Sequence, residues 1–257
     1  MKIKTDNYEI YKGDCLELMK DIPDNSVDMI LCDLPYATTK NQWDTLIPFE
    51  PLWKQYERVI KQSGAIVLFA QTPFDKFLGS SNPKLLRYEW IWEKPQGTGF
   101  LNAKKMPLKN HENILVFYKK LPIYHPQMEG DEIRKVKRNP THKKTSNYGA
   151  FEYEEVSLYK GRYPKSVLKF KHDKQKFHPT QKPVELLEYL IKTYTNEREI
   201  VLDNCMGSGS TGVACINTNR KFIGIELDDK YFEISKSRLN EAAEKKEELL
   251  KVFDKSN

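Results

Sequence analysis

The stretch EIVLDNCMGSGSTGVA, from Glu199 to Ala214, decides the fold of this chain. A short apolar run ends at Asp203, a glycine-rich turn with the spacing G-x-G-x-x-G begins at Gly207, and an apolar helix pattern follows. A second acid, Glu226, stands at the end of the next apolar run. A strand, a glycine turn and a helix in this order are typical of α/β folds that hold a nucleotide-like ligand at the helix N-terminus.

The spacing of this turn is compatible with several nucleotide-like ligands, and the residues in and around the turn distinguish between them. Val213 stands where a triphosphate-binding loop needs lysine, which argues against ATP or GTP. The carboxylate of Asp203 would repel the pyrophosphate of NAD, and too little chain follows Gly212 to complete a doubly wound NAD domain. S-adenosylmethionine instead carries an ammonium and a sulfonium, and its ribose hydroxyls suit Glu226. S-adenosylmethionine is therefore the expected cofactor.

Short apolar runs along the rest of the chain predict the other strands. Several are continuously apolar, which favours a mostly parallel sheet covered on both faces. Apolar stripes predict helices over Pro51–Gln62 and Pro183–Thr195, and Asp228 is expected to cap a last helix. The sequence therefore predicts an α/β, Rossmann-like fold. The predicted strands are Tyr8–Tyr11, Val27–Cys32, Ala65–Ala70, Tyr88–Glu93, Asn113–Tyr118, Ile200–Asp203 and Phe222–Glu226.

Composition limits the class of protein. The chain has 257 residues, 39% of them hydrophobic, and a net charge of +6, so nucleic acid is a reasonable partner. No apolar run approaches the ~20 residues of a membrane span, and the N-terminal stretch has no apolar signal core. The four cysteines form no C-x-x-C pair. We expect a cytoplasmic protein without membrane association, disulfides or a metal site.

The middle of the chain, residues 121–176, differs from the rest because it is rich in lysine and arginine with interleaved tyrosines. One interpretation is a solvated, charged insertion. The other is a basic surface that contacts phosphates and bases. The candidate DNA contacts in this segment are Arg134, Lys135, Lys137, Arg138, Lys143 and Lys144.

The predicted strand Val27–Cys32 runs directly into D-L-P-Y at Asp33–Tyr36. Together with Asp203 and the glycine turn, this motif resembles the DNA amino-methyltransferases, which carry D-P-P-Y or a variant at one strand and D-P-F-x-G-S-G-T at another. The order in this chain, with the catalytic motif first, the basic segment in the middle and the glycine turn last, is similar to the β group of that family.

The resemblance implies a circularly permuted methyltransferase fold with a mostly parallel seven-stranded sheet and an inserted target-recognition segment. Residues 1–120 would form the catalytic half, 121–176 the target-recognition insertion and 177–257 the cofactor-binding half. The Asp33 carboxylate and the Leu34 carbonyl would accept the two N–H groups of an exocyclic amine. Pro35 would fix the turn, and Tyr36 would stack on the base.

The resemblance also implies the residues that bind S-adenosylmethionine. An acid near the N-terminus would reach the adenine, the motif His178–Pro183 would close over the methionine end, and Cys205 replaces the phenylalanine that usually packs near the cofactor. The predicted cofactor contacts are Asp14, Cys15, Asp33, His178, Pro179, Thr180, Lys182, Asp203, Cys205, Gly207, Ser208, Gly209, Ser210, Thr211, Glu226 and Leu227.

The reaction implied is methylation of adenine N6 in a short specific sequence of double-stranded DNA, on a base rotated out of the helix. The loop Gly97–Lys105, including Lys104 as a candidate DNA contact, is expected to close over that base. A cognate restriction endonuclease and a monomeric or homodimeric state are further expectations. Cytosine N4 methylation is the main alternative, followed by methylation of RNA or protein amines and, last, an NAD-dependent oxidoreductase.

Overall fold

The apolar runs become strands, and the computed structural model describes residues 1–36, 45–137, 144–145, 149–150 and 156–254. The described strands are β1 (Lys2–Lys4), β2 (Tyr8–Lys12), β3 (Val27–Asp33), β4 (Ile60–Ala70), β5 (Leu86–Thr98), β6 (Lys109–Phe117), β7 (Glu129–Lys137), β8 (Lys144–Thr145), β9 (Gly149–Ala150), β10 (Val156–Arg162), β11 (Val167–Lys169), β12 (Ile200–Asp203) and β13 (Lys221–Glu226).

The described helices are α1 (Cys15–Leu18), α2 (Phe49–Val59), α3 (Phe74–Ser81), α4 (Val184–Tyr194), α5 (Ser210–Asn217) and α6 (Asp229–Asp254), with 3₁₀ turns at Met19–Asp21 and Phe100–Asn102. None of them, within the ranges just given, is long and apolar enough to cross a bilayer. Helix α6 begins as predicted, because the Asp228 side chain accepts a hydrogen bond from the Tyr231 backbone N–H at 3.0 Å.

The chain divides into two compact units, one formed by Met1–His125 with Ser166–Asn257 and the other by Pro126–Lys165. The first unit contains a nine-stranded sheet among its described residues, in the order β1-β2-β13-β12-β3-β4-β6-β5-β11. The strands from β2 through β13, β12 and β3 to β4 pair in parallel, and β6 and β5 continue the sheet antiparallel. The predicted α/β fold with a mostly parallel sheet is confirmed, and the circular permutation stays a prediction.

Successive residues of the central strands point to opposite faces of this sheet and enter two separate apolar clusters. In β3, Met29 and Leu31 pack in one cluster with α4 and α5, and Ile30 and Cys32 pack in the other with α2 and α3. All seven residues of β3 except the last, Asp33, are buried. Polar side chains in this strand therefore lie near its two ends: Asp28 at the start, bonded to Lys61 and the Ile200 N–H, and Asp33 at the carboxyl end.

The predicted count of seven strands was too low, although all seven predicted strands are present. The two further strands, β1 and β11, have three residues each and lie at the sheet edges. Such short strands show too little alternation to be found by pattern. Helix α2 also differs: it spans Phe49–Val59 rather than Pro51–Gln62, because the backbone becomes extended at Ile60 and the following residues join β4.

The second unit contains β7 paired antiparallel with β10, and β8 paired antiparallel with β9. It lies within the segment 121–176 that the sequence sets apart, but its compact part is Pro126–Lys165. Arg134 pairs with Tyr159 and Lys135 with Leu158 across the β7–β10 ladder, so basic residues lie opposite an aromatic and an apolar residue there. Its role in target recognition remains a prediction.

Candidate active site

A cavity of about 660 Å³ opens at the carboxyl edge of the parallel strands in the first unit. Each parallel strand supplies a residue at or just beyond its end: Asp14 after β2, Asp33 on β3, Gln71 after β4, Asp203 on β12 and Glu226 on β13. Ligands of open α/β sheets bind at this edge because polar groups from several strands converge there. Asp33 and the glycine turn, which lie far apart in sequence, meet across one cavity.

Most of the predicted site residues line this cavity. All four residues of Asp33–Tyr36 do so, but Pro179 and Gly209 do not. Gly209 is the residue directly before α5, has φ +78° and lies against Ser235, so it shapes the turn rather than the cavity wall. The predicted cofactor contacts that line the cavity are Asp14, Cys15, Asp33, His178, Thr180, Lys182, Asp203, Cys205, Gly207, Ser208, Ser210, Thr211, Glu226 and Leu227.

The D-L-P-Y turn holds its two polar side chains together. The Tyr36 hydroxyl donates a hydrogen bond to Oδ1 of Asp33 at 2.7 Å. The Tyr36 ring stacks on Phe74 with centroids 4.9 Å apart, while the Leu34 side chain is buried in the apolar cluster under α2. The carboxylate and the ring are therefore positioned before any ligand arrives.

A buried lysine occupies the other oxygen of Asp33. Nζ of Lys182 lies 2.5 Å from Oδ2 of Asp33 and 3.2 Å from Oε2 of Glu112, and Oε1 of Glu112 is paired with Lys94 at 2.5 Å. Burial raises the pKa of Asp33 and Lys182 opposes that rise. Burial alone would lower the pKa of Lys182, but Asp33 and Glu112 raise it above its ordinary value. Lys182 therefore stays protonated between two carboxylates.

The acid of the glycine turn is held by its own loop. Oδ2 of Asp203 accepts a hydrogen bond from the Thr211 hydroxyl at 2.7 Å, and Oδ1 accepts one from the Cys205 backbone N–H at 3.1 Å. Burial raises the pKa of Asp203 to about 6, even though these bonds favour the carboxylate. An acid in such surroundings gains from a cationic ligand, because the ligand would offset its lost solvation.

Glu226 shapes the same turn from the neighbouring strand. Its Oε2 accepts from the Gly207 backbone N–H and its Oε1 from the Asp228 N–H, both at 2.8 Å. Each carboxylate oxygen has a second lone pair, so two vicinal hydroxyls can still bind there. Gly207 adopts φ +50°, a conformation that favours glycine and brings its N–H toward Glu226.

The remaining cofactor candidates lie at the cavity rim. Asp14 caps α1 through hydrogen bonds from the Leu16 and Glu17 N–H groups at 2.8 and 3.2 Å. The His178 ring packs on Tyr231 with centroids 4.2 Å apart. Burial, followed by the charge of Lys182, lowers the pKa of His178 to about 4. His178 is therefore neutral at pH 7 and presents a ring rather than a charge.

None of the described candidate DNA contacts is among the residues that line the cavity. Lys104 is exposed on the loop between β5 and β6, and it does not line the cavity. Arg134 and Lys135 lie on β7 in the second unit. Lys137 ends β7 and Lys144 begins β8. Arg138 and Lys143 lie outside the described residues.

Two functional candidates were missed at the sequence level. Glu112 lines the cavity and contacts Lys182; its signal was the phrase Asn110-His111-Glu112 before the apolar run at Ile114–Phe117, which resembles a family motif but was given no role. Arg238 on α6 donates from Nη1 to the Ser208 carbonyl at 2.6 Å and to the Ser210 hydroxyl at 3.0 Å. No pattern pointed to Arg238, because a basic residue on a charged helix looks like solvent-facing surface.

The side chains that line the cavity fit S-adenosylmethionine. Asp203 and Asp33 offer carboxylates to a cationic ligand, Glu226 offers acceptor positions to ribose hydroxyls, and the cavity is large enough for a ligand of this size. Among the described residues, no group of three or more histidine, cysteine, aspartate or glutamate side chains could hold a metal ion.

Comparison with known proteins places these features in one family. The family model N6_N4_Mtase, described as DNA methylase, matches residues 27–237. The chain is 30% identical over 266 residues to DNA adenine methyltransferase YhdJ of Escherichia coli (strain K12), covering 95% of this chain and 86% of that protein. It is 29% identical over 252 residues to the type II methyltransferase M.BglII of Bacillus subtilis, covering 88% of this chain and 67% of that protein.

Solved structures agree with this result. A crystal structure of the M1.HpyAVI-SAM complex superposes with a TM-score of 0.63 at 26% identity, covering 90% of this chain and 100% of that chain. The PvuII cytosine-N4-specific DNA methyltransferase superposes with a TM-score of 0.67 at 20% identity, covering 91% and 87%, which shows the shared fold alone. The chain belongs to the N6/N4 family of DNA methyltransferases, which use S-adenosylmethionine as methyl donor.

Proposed function

We propose that this protein methylates the N6 amine of adenine at a specific sequence in double-stranded DNA. The observation that carries the proposal is the placement of the Asp33 carboxylate across one cavity from the glycine turn at Gly207. Two features support adenine over cytosine. The tetrapeptide begins with aspartate, as is more common among adenine enzymes of the family, and YhdJ, the relative at 30% identity, is named an adenine methyltransferase.

The acceptors at the end of β3 set up the amine for reaction. The lone pair of an exocyclic amine is delocalised into the base ring, so the amine is a weak nucleophile. Hydrogen bonds from its two N–H groups to the Asp33 carboxylate and the Leu34 carbonyl would hold it in a geometry that directs the lone pair at the methyl donor. Tyr36, backed by Phe74, would stack on the ring. Orientation of this kind accounts for much of the rate of a displacement reaction.

The cofactor residues act at the other end of the same cavity. Bound S-adenosylmethionine supplies a methyl group on a cationic sulfur, which is a good leaving group. Asp203 would bind the cationic end, Glu226 the ribose and the segment around Asp14 the adenine. When the amine nitrogen forms its bond to carbon, it becomes positively charged and must lose a proton. In this arrangement the Asp33 carboxylate would accept a hydrogen bond from the amine and would be placed to receive that proton.

A base in a duplex cannot enter a cavity at a sheet edge, so the target must rotate out of the helix. The basic strands of the second unit, with Arg134 and Lys135 on β7, would bind the phosphates and read the neighbouring bases. The type II names of relatives such as M.BglII support a cognate restriction endonuclease as a partner. A cytoplasmic location and a monomeric or homodimeric state belong to the same proposal.

The test is incubation of the protein with plasmid DNA and labelled S-adenosylmethionine, followed by mass spectrometry of the nucleosides. We expect N6-methyladenine, and sequencing that detects modified bases should place it in one short motif. N4-methylcytosine without N6-methyladenine would show that the protein methylates cytosine N4 instead. The PvuII enzyme, which shares the fold, is named for that reaction. Label transferred to RNA or protein but not to DNA would reject the DNA proposal. Asp33→Ala serves as the inactive control.

A further inference from the structure

The β5–β6 hairpin ends in two apolar side chains that face solvent. After Thr98 pairs with Lys109, the chain passes through Gly99 and forms a 3₁₀ turn over Phe100–Asn102. Phe100 is 80% exposed and Leu101 is 98% exposed. A single exposed apolar side chain is ordinary, but two adjacent large ones form a small apolar patch, and such patches often mark an interaction site.

The hairpin projects from the edge of the sheet that carries the cavity. Glu112 on β6 lines the cavity, and Lys109 begins the same strand three residues earlier, about 10 Å farther out at the usual rise of a strand. Nζ of Lys109 donates to the Thr72 carbonyl at 3.2 Å, one residue after Gln71, which also lines the cavity. The base of the hairpin is therefore held beside the end of β4, at the end of the sheet where the cavity opens.

The charge around the tip indicates its partner. The segment from Lys94 to His111 contains lysines and no acidic residue, and Lys104 and Lys105 follow the apolar pair after two intervening residues. Both lysines are exposed. An apolar tip with cationic flanks complements DNA, whose phosphates lie outside and whose stacked bases lie inside. A second copy of this chain would bring the same lysines together and would be repelled.

We propose that Phe100 and Leu101 enter the DNA duplex at the target site and fill the gap that the rotated base leaves. This inference rests on the proposed function, since it requires a base that leaves the helix. Removal of a base from the stack costs its pairing and stacking energy, and an inserted apolar side chain recovers part of that cost. The hairpin then acts on the duplex, while the D-L-P-Y turn acts on the extruded base.

The experiment compares two substrates that differ only in the cost of opening the target pair. One is a fully paired duplex containing the recognition motif, and the other has an abasic site opposite the target base. The double variant Phe100→Ala/Leu101→Ala should lose about tenfold or more in kcat/KM on the paired duplex. It should remain within about twofold of the unaltered protein on the abasic duplex, where little opening energy is needed.

Two controls separate this role from others. Leu121→Ala removes a leucine that is 77% exposed near the opposite end of β6, and it should leave both rates unchanged. Lys104→Gln/Lys105→Gln should weaken binding to both duplexes equally and lower the salt dependence of binding. Fluorescence of 2-aminopurine at the target position should rise with the unaltered protein and rise less with the apolar variant.

Specific outcomes would overturn the inference. Equal loss of activity on both duplexes would show that the tip does not act on pair opening. Unchanged activity on the paired duplex would show that it is not needed. If the apolar variant alters the sedimentation of the protein and loses both activities together, the tip is a contact between two copies. Absence of any methyl transfer by the unaltered protein would reject the proposed function itself, which is a separate result.

Discussion

The ammonium group of Lys182 lies 2.5 Å from Oδ2 of Asp33, so a buried cation is bound to the carboxylate that is proposed to receive the target amine. A second carboxylate oxygen, Oε2 of Glu112, lies 3.2 Å from the same nitrogen and accepts no hydrogen bond from any described residue. Lys182 can therefore shift from Asp33 toward Glu112 over a short distance when an amine arrives. Until then it compensates the negative charge of Asp33 in a site with little solvent.

Substitution of Lys182 by an uncharged residue should shift the pH dependence of methyl transfer. Burial already raises the pKa of Asp33, and loss of the Lys182 charge, which opposes that rise, would raise it further. Asp33 accepts hydrogen bonds as a carboxylate, so activity disappears as the pH falls through its pKa. In Lys182→Met the acidic limb of the profile of kcat/KM against pH should therefore move to higher pH. Lys182→Arg keeps the charge and should shift the acidic limb little. Identical pH profiles for Lys182→Met and the unaltered protein would contradict the role of Lys182.

Replacement of Asp33 itself should separate catalysis from cofactor binding. Asp33→Asn keeps the shape of the side chain but loses the charge, and methyl transfer should fall by about 10²-fold or more. Calorimetry should still detect S-adenosylmethionine binding, because the glycine turn is unchanged. Asp24→Asn, at an exposed acid paired with Arg58, is the matched control and should keep full activity. Normal turnover of Asp33→Asn would remove this carboxylate from the mechanism.

The affinity for S-adenosylmethionine should depend on pH through Asp203. Burial raises the pKa of this acid to about 6, so it is ionised at pH 7.5 and protonated at pH 5. The cationic ligand favours the carboxylate, and Kd should therefore rise as the pH falls below about 6, approaching tenfold for each unit. In Asp203→Asn the Kd should be higher at pH 7.5 and nearly independent of pH. A wild-type Kd that is constant from pH 5 to 8 would show that Asp203 does not contact the charged part of the ligand.

Arg238 on α6 is expected to stabilise the glycine turn. It donates to the Ser208 carbonyl and the Ser210 hydroxyl, and its guanidinium lies 4.6 Å from the Phe177 ring centroid. Loss of hydrogen bonds from a charged donor typically costs about 1.5–3 kcal/mol. Arg238→Gln should lower Tm and raise the Kd for S-adenosylmethionine. Lys236→Gln, at a half-buried lysine that pairs with Glu233 on the same helix, should change neither quantity. An unaltered Kd for Arg238→Gln would limit its role to folding.

The basic residues of the middle segment should determine how DNA binding responds to salt. Each phosphate contact that is lost reduces the slope of log K against log salt by about 0.9. Replacement of the lysines and arginines of this segment should therefore weaken DNA binding and reduce the slope, while S-adenosylmethionine binding stays the same. Lys245→Gln, in α6, is the control. The substitutions replace Arg134, Lys135, Lys137, Arg138, Lys143 and Lys144 with glutamine. An unchanged slope would show that this segment does not touch phosphate.

The central strands were predictable because their apolar runs are continuous. The strand Ile200–Asp203 has the predicted bounds, and Val27–Cys32 differs only by the inclusion of Asp33. Because both faces of these strands are covered, they read as continuous apolar runs and can be recognised without an alternating pattern. The edge strands β1 and β11 were not predictable, since their pairing depends on partners supplied by the tertiary fold.

The acceptors of the candidate site were predictable for a different reason. A carboxylate such as Asp33 or Asp203 directly after a buried strand interrupts a clear pattern. Partners such as Lys182 and Arg238 depend on contacts between segments far apart in the chain, and a sequence pattern holds no distances. Lys182 was assigned to the cofactor on resemblance, whereas its nearest contacts are Asp33 and Glu112. The polar groups were therefore visible, but their pairing was not.

The second unit is one uninterrupted stretch, Pro126–Lys165, and none of its described residues is among those that line the cavity. The cavity-lining side chains described above come from the stretches before and after it in sequence. Under the proposed function, mutations that accumulate in this stretch alter which DNA motif is modified and leave the transfer step intact. Sequence preference and chemistry can then diverge independently during evolution, and a transplanted stretch from a relative should retarget the enzyme without redesign of its catalytic groups.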